Sequence, residues 1–142
     1  MVGHVYSIIC IVDSSIVYIG STFKNLQERM QKHIFQYKYY ISDKYNNYSI
    51  YKYFEKYGCD NFRIKLLQSY DVPDKKSLVA YEQLYINMYR YDKYIKCINI
   101  NMAFNPLGKL NVYCWCCTRY IQHKSYNKHI NTDRCINNRL KT

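Results

Sequence analysis

The chain has 142 residues, enough for one modest core and a small appendage. Lys and Arg number 21 against 10 Asp and Glu, a net charge of +11 that suits a polyanionic partner, although solubility or an acidic protein would also account for it. No apolar run is long enough to cross a membrane, and seven cysteines, an odd and dispersed set, argue against a secreted disulfide framework.

Val5 to Val12 is a β-branched apolar run, Asp13-Ser14-Ser15 is turn chemistry, and Ile16 to Ile19 is a second apolar run. This predicts a β-hairpin carrying Tyr6 on one strand and Tyr18 on the other. An odd loop puts both tyrosines on one face and a two-residue loop puts them on opposite faces. Gly20 should end the second strand, allowing a sharp turn or the close approach of a ligand.

Asn25 can cap a helix whose apolar positions run Leu26, Met30, His33, Ile34 and Tyr37, so that Arg29 and His33 stand one turn apart. Such a pair offers a fixed positive charge and a titratable imidazole, which suits a phosphodiester gaining charge during attack; a solvated Arg beside a half-buried His is the bland alternative. Ser49 to Tyr57 reads as a second helix stopped by Gly58. After it, Phe62, Ile64 and Leu66 alternate with Arg63 and Lys65, the pattern of a half-buried strand.

Lys76 to Tyr89 reads as a third helix, and its stripe of Leu78, Glu82, Tyr85 and Tyr89 sets one carboxylate among apolar side chains. An ionised carboxylate there needs compensation, from a hard cation such as Mg²⁺ or from Arg29 or a tyrosine hydroxyl.

Val5-Tyr6, Tyr18-Ile19-Gly20-Ser21-Thr22, Arg29 and His33, the stretch from Tyr48 to Gly58, Asn61-Phe62, Glu82-Gln83-Leu84-Tyr85-Ile86 and Asn99-Ile100 follow one another in an order that resembles the GIY-YIG nuclease family over about the first hundred residues. One departure is plain: His4-Val5-Tyr6 stands where the family has Gly-Ile-Tyr. The resemblance implies an α/β (α+β) domain, a small three-stranded antiparallel sheet flanked by helices. It implies that Tyr6 helps deprotonate the attacking water, that Glu82 holds one Mg²⁺ (or Mn²⁺), and that Arg29 neutralises the scissile phosphate. Tyr18 and His33 would hydrogen-bond water, phosphate or the base, and Asn99 would shape the site.

Beyond a break at Asn105-Pro106-Leu107-Gly108, four of the seven cysteines fall in the last thirty residues. Cys114-x2-Cys117-x11-His129-x5-Cys135 has ligand spacing close to a strand, strand, helix zinc finger, with Cys116 and His123 as rival ligands. Ile121 and Tyr126 fit its two core positions, and Ser125 is a plausible cap for the helix bearing His129. So small a unit needs Zn²⁺ for most of its folding free energy.

The expected organisation is a nuclease domain over 1–104, a linker over 105–111 and a zinc-finger-like basic tail over 112–142. Residues 105–142 carry seven Lys and Arg against one acidic residue, and Arg119, Lys124, Lys128, Arg134 and Arg139 are the candidates to meet phosphates. The expected function is a divalent-metal-dependent endonuclease acting on DNA, double-stranded or branched. A nucleic-acid-binding module with a decayed site and a zinc-dependent protein-interaction adaptor are the alternatives. Met1-Val2-Gly3-His4 leads straight into a strand, so no signal peptide and a reducing intracellular compartment, cytoplasm or nucleus of a cell or infected host, are expected. The abundance of Ile, Lys, Asn and Tyr suggests an A+T-rich genome, fitting a small viral or mobile-element nuclease.

Overall fold

The computed structural model describes residues 1–42, 49–99, 103–104, 111–114, 117, 119–122, 125, 128–129, 131–132 and 135. The chain divides into two compact units, Met1–Phe104 and Asn105–Thr142.

In the first unit β1 (Val2–Cys10) pairs antiparallel with β2 (Ile16–Thr22) and, on its other side, with β3 (Phe62–Asp71). Helices α1 (Leu26–Ser42) and α2 (Ser49–Tyr57) lie between β2 and β3 in sequence, and α3 (Lys75–Tyr91) follows β3. The three-stranded antiparallel sheet is present, but the sheet has a fourth member: β4 (Lys96–Cys97) pairs parallel with β2, giving the order β3-β1-β2-β4. Two residues are too few to show a strand pattern in a sequence.

The hairpin loop is odd, with Tyr6 opposite Gly20 and Ile8 opposite Tyr18, so both tyrosines lie on one face. That face also carries Cys10 and Ile16 and packs on Tyr40 of α1 and on Ile50, Tyr51 and Phe54 of α2. The opposite face carries Val5, Val17 and Ile19 and packs on Leu78 and Ile86 of α3. Burying the sheet on both sides encloses Tyr6, Ile8, Ile19, Tyr51 and Phe54 almost completely. Each such side chain contributes about 1.5–3 kcal/mol relative to exposure.

Local chemistry sets the helix ends. The Asn25 side chain accepts from Gln27 N at 2.7 Å at the start of α1, and Asp74 caps α3 by accepting from Ser77 N at 2.7 Å. Gly58 leaves α2 at φ 82°, in the region that favours glycine. Along β3 the expected alternation holds for Phe62 and Ile64 but not for Leu66, which is 45% exposed. Leu66 keeps the phase of Phe62 and Ile64, opposite Tyr6, and the phase changes only after it: Val5 pairs with Gln68, so a bulge makes Leu67 the extra residue and packs it with the α3 core.

The second unit contains a hairpin of β5 (Asn111–Cys114) and β6 (Arg119–Gln122), followed by helical residues at Ser125, Lys128, His129 and Cys135. This is the strand, strand, helix order that the ligand spacing predicts.

Candidate active site and metal centre

The candidate site lies at the Gly20–Thr22 end of β2, where α1 covers one face of the sheet and α3 the other. Arg29 arrives from α1 and Glu82 from α3. Two glycines allow this approach. A Cβ at Gly3 would sit 2.6 and 2.7 Å from the Leu78 methyls, so its absence lets α3 settle onto β1. Gly20 does not end β2, which continues to Thr22. Instead it makes room for the Tyr6 ring, since a Cβ there would lie 2.9 Å from Tyr6 Cε2 and closer still to Cζ and the hydroxyl.

The Tyr6 hydroxyl is buried behind Arg29. Arg29 Nε donates to it at 2.9 Å, and His33 Nε2 lies 2.9 Å away on its other side. Burial, then the Arg29 and Lys32 cations, pull the His33 pKa down to about 3, so the ring is neutral at physiological pH. With its proton on Nδ1 the neutral imidazole accepts at Nε2, and the chain then runs from Arg29 N–H to the Tyr6 oxygen and from Tyr6 O–H to His33. Burial outweighs the Arg29 charge at Tyr6 and pushes its pKa up to about 12, which keeps the phenol protonated. Tyr18 stands edge-on to the His33 ring, with centroids 5.6 Å apart, and burial raises its pKa as well.

Glu82 is half-buried and accepts a hydrogen bond from the Ser21 hydroxyl at Oε2. Of the compensations expected from the sequence, a direct bond to Arg29 or to a tyrosine hydroxyl is not formed among the described residues, and the Ser21 hydroxyl takes that place beside the room left for a cation. Burial nevertheless raises the Glu82 pKa against the opposing effects of Ser21, Arg29 and Lys75, so its charge is under-compensated. A carboxylate in that state, beside the hydroxyl of Ser21, suits a hard divalent cation, which takes oxygen ligands and completes its shell with water and phosphate.

Arg29, Glu82 and Ser21 line a cleft of about 500 Å³ together with Thr22, Lys24, Glu28, Lys32 and Lys75. Lys24, Lys32 and Lys75 escaped the sequence reading. Two weak signals were available: Lys32 follows Arg29 by three residues, and Lys75 precedes Glu82 by two helical turns.

Asn99 lies on the backbone of Ile19 rather than in the cleft. Its Oδ1 accepts from Ile19 N and its Nδ2 donates to Ile19 O, both at 2.8 Å, while Arg90 holds the Asn99 carbonyl at 2.7 Å. The side chain thus mimics a neighbouring strand and fixes β2 beside Tyr18 and Gly20.

In the second unit the ligand atoms of Cys114, Cys117, His129 and Cys135 all lie within 4.8 Å of one another. Cys114 Sγ and Cys135 Sγ are 3.7 Å apart, far beyond a disulfide bond. That separation is close to the ~3.8 Å between two thiolates on one tetrahedral zinc with Zn–S bonds of ~2.3 Å. Burial and the adjacent thiols of Cys114 and Cys117 push the Cys135 pKa up to about 12, a like-charge conflict that a dication relieves. The residues therefore fit Zn²⁺. The rival ligands Cys116 and His123, and with them Tyr126, Lys124, Arg134 and Arg139, lie outside the described residues. Arg119 belongs to β6, with its side chain outside the description, and Lys128 is exposed.

The sequence and the fold both have counterparts among known proteins. The family model described as the GIY-YIG catalytic domain matches residues 2–95. The fold is similar to that of the catalytic domain of the homing endonuclease I-TevI, at 21% identity and a TM-score of 0.51 over 70% of this chain and 98% of that one. No curated protein matches the sequence. Among the described residues no helix is long and apolar enough to cross a membrane. With the family pattern spanning about two thirds of its length and the corresponding fold beneath it, the chain belongs to the GIY-YIG family of nucleases.

Proposed function

We propose that this chain is a divalent-metal-dependent endonuclease that hydrolyses phosphodiester bonds in DNA, with a zinc-held basic tail that adds affinity for the substrate. The observation that carries this reading is the convergence of Arg29 and Glu82, from helices on opposite faces of the sheet, in one cleft lined by lysines. A cation held by Glu82 would polarise the scissile phosphate and stabilise the leaving oxygen.

Arg29 is the residue that meets the phosphate. Its Nε is engaged by Tyr6, so the two terminal nitrogens are directed to the non-bridging oxygens, whose charge grows as water attacks. Tyr6 and His33 hold the guanidinium at that angle from behind. Once bound substrate draws the Arg29 Nε bond away, the Tyr6 oxygen accepts a hydrogen bond from the attacking water and helps its proton leave to solvent, while His33, held neutral, keeps the phenol oriented. Ser21 occupies Oε2 of Glu82 and leaves Oε1 for the cation. Tyr18 packs against His33 and limits its movement. Asn99 acts through β2 as a positioning residue.

The tail contributes phosphate contacts from Arg119, Lys124, Lys128, Arg134 and Arg139, which raise affinity in a salt-sensitive way. Supercoiled, linear and branched DNA incubated with the full chain in zinc-containing buffer, with and without Mg²⁺, tests the proposal. Nicking only where Mg²⁺ is present is expected. The absence of Mg²⁺-dependent cleavage on every substrate contradicts it, and binding without cleavage would favour a binding module whose site has decayed.

A further inference from the structure

Four cations line the cleft and only two carboxylates oppose them, yet the chemistry at the scissile phosphate uses one of the four, Arg29. Lys24, Lys32 and Lys75 are exposed, and among the described residues no ion pair engages their ammonium groups. They are not evenly scattered. Lys24 precedes Arg29 by five residues and Lys32 follows it by three, on the α1 side, whereas Lys75 enters from α3 together with Glu82. Lys32 is near enough to weigh against protonation of His33, and Lys75 near enough to favour the Glu82 carboxylate. The uncommitted charges therefore come from both the α1 side, with Arg29, and the α3 side, with Glu82.

Resting on the nuclease reading above, we propose that Lys24, Lys32 and Lys75 bind the phosphates that flank the scissile one, so that the DNA strand crosses the cleft between α1 and α3. The catalytic unit then carries its own backbone grip, separate from that of the tail. A mobile ammonium on a four-carbon stem suits this task, because it neutralises a phosphate without demanding one orientation and so tolerates sequence variation. Glu28 lies between the two α1-side lysines in sequence and also lines the cleft. Its repulsion of the strand is outweighed by three ammonium groups, which keeps the contact reversible for product release.

The test is the salt dependence of DNA binding by the full chain, measured in zinc-containing buffer without Mg²⁺ on a Glu82→Gln background so that cleavage does not interfere. Each phosphate contact contributes about 0.9 to the slope of log K against log salt on duplex DNA. Joint substitution of Lys24, Lys32 and Lys75 by Ala is expected to lower the magnitude of that slope by about 2–3. Joint substitution of Lys52, Lys65 and Lys93, exposed residues outside the cleft lining, removes the same charge and is expected to change it by less than about 1.

Equal slopes for the two triple variants overturn the proposal, because charge would then act globally rather than through the cleft. The exposed positions make unfolding a poor explanation for a loss, and unchanged circular dichroism and melting temperature check that. Cleavage by the unsubstituted chain is scored separately. A slope difference without Mg²⁺-dependent cleavage leaves the grip standing and removes the nuclease reading, whereas cleavage with equal slopes does the reverse.

Discussion

The two units are stabilised by different physics. Met1–Phe104 buries both faces of its sheet, and aromatic and aliphatic side chains of three helices close the two cores. Among the described residues of Asn105–Thr142 the buried ones are Cys114, His129 and Cys135, all members of one ligand cluster. The first unit can therefore carry polar, under-compensated groups such as His33 and Glu82 at the margin of a sufficient core. In the second, the proposed zinc would supply the folding free energy that a core of this kind supplies in the first.

Removing zinc should have the largest effect and is the most direct way to break this comparison. With a strong chelator, or in Cys135→Ser, the amide NMR signals of residues 111–135 should collapse to unfolded positions while those of 1–99 stay in place, and bound zinc should fall from one per chain to none. Loss of both sets of signals together would show that the units are not independently stabilised.

Within the first unit, Gly20→Ala should destabilise by about 1–3 kcal/mol in urea unfolding, since the new methyl meets a Tyr6 ring that His33 and Arg29 already hold. A change under ~0.5 kcal/mol would mean that the ring gives way easily.

The His33 pKa, depressed from 6.5 to about 3, makes a pH prediction whose sign is fixed. Between those values the unfolded chain binds a proton that the folded chain refuses, so stability is fully present above pH 6.5 and falls as pH drops towards 3. From pH 7 to pH 5 this amounts to about 2 kcal/mol. Glu82, whose folded pKa is raised, opposes the trend. Urea unfolding at pH 7, 6 and 5 should show the decline and His33→Gln should abolish most of it; an unaltered decline in the variant would place its origin elsewhere.

The smallest effect belongs to Ser21. Ser21→Ala should leave unfolding within about 1 kcal/mol while raising the Mg²⁺ concentration for half-maximal cleavage several-fold, and Ser21→Thr should restore it. An unchanged Mg²⁺ requirement would separate the Ser21 hydroxyl from the cation.

Elements with local signals were legible in the sequence. Asn25 and Gly58 mark helix ends by side-chain and backbone chemistry that acts within a few residues, and α2 has the predicted bounds. What depended on pairing between distant segments was not. The packing of Leu67 with the α3-side core depends on a bulge opposite Val5 and Tyr6, and the parallel contact of β4 leaves no periodic trace.

The site divides in the same way. Tyr6, Tyr18, Arg29, His33 and Glu82 stand out by order and residue type, but that Tyr6 sits behind Arg29 depends on Gly20 lying across from it. Asn99 is conspicuous in the motif, while its partner is a backbone eighty residues earlier. The exposed lysines carry only the weak spacing of Lys32 from Arg29 and of Lys75 from Glu82, so the cleft became visible only once α1 and α3 were placed at the end of β2.

Single-turnover cleavage of end-labelled DNA by Arg29→Ala and Glu82→Ala, each paired with its DNA affinity, tests the central claim most directly. Rates lower by about 10²–10³ for each variant, at affinities within a few-fold of the unsubstituted chain, are the predicted result. Cleavage at the normal rate by either variant would contradict the assignment of the Arg29 and Glu82 cleft as the place where the phosphodiester is cut.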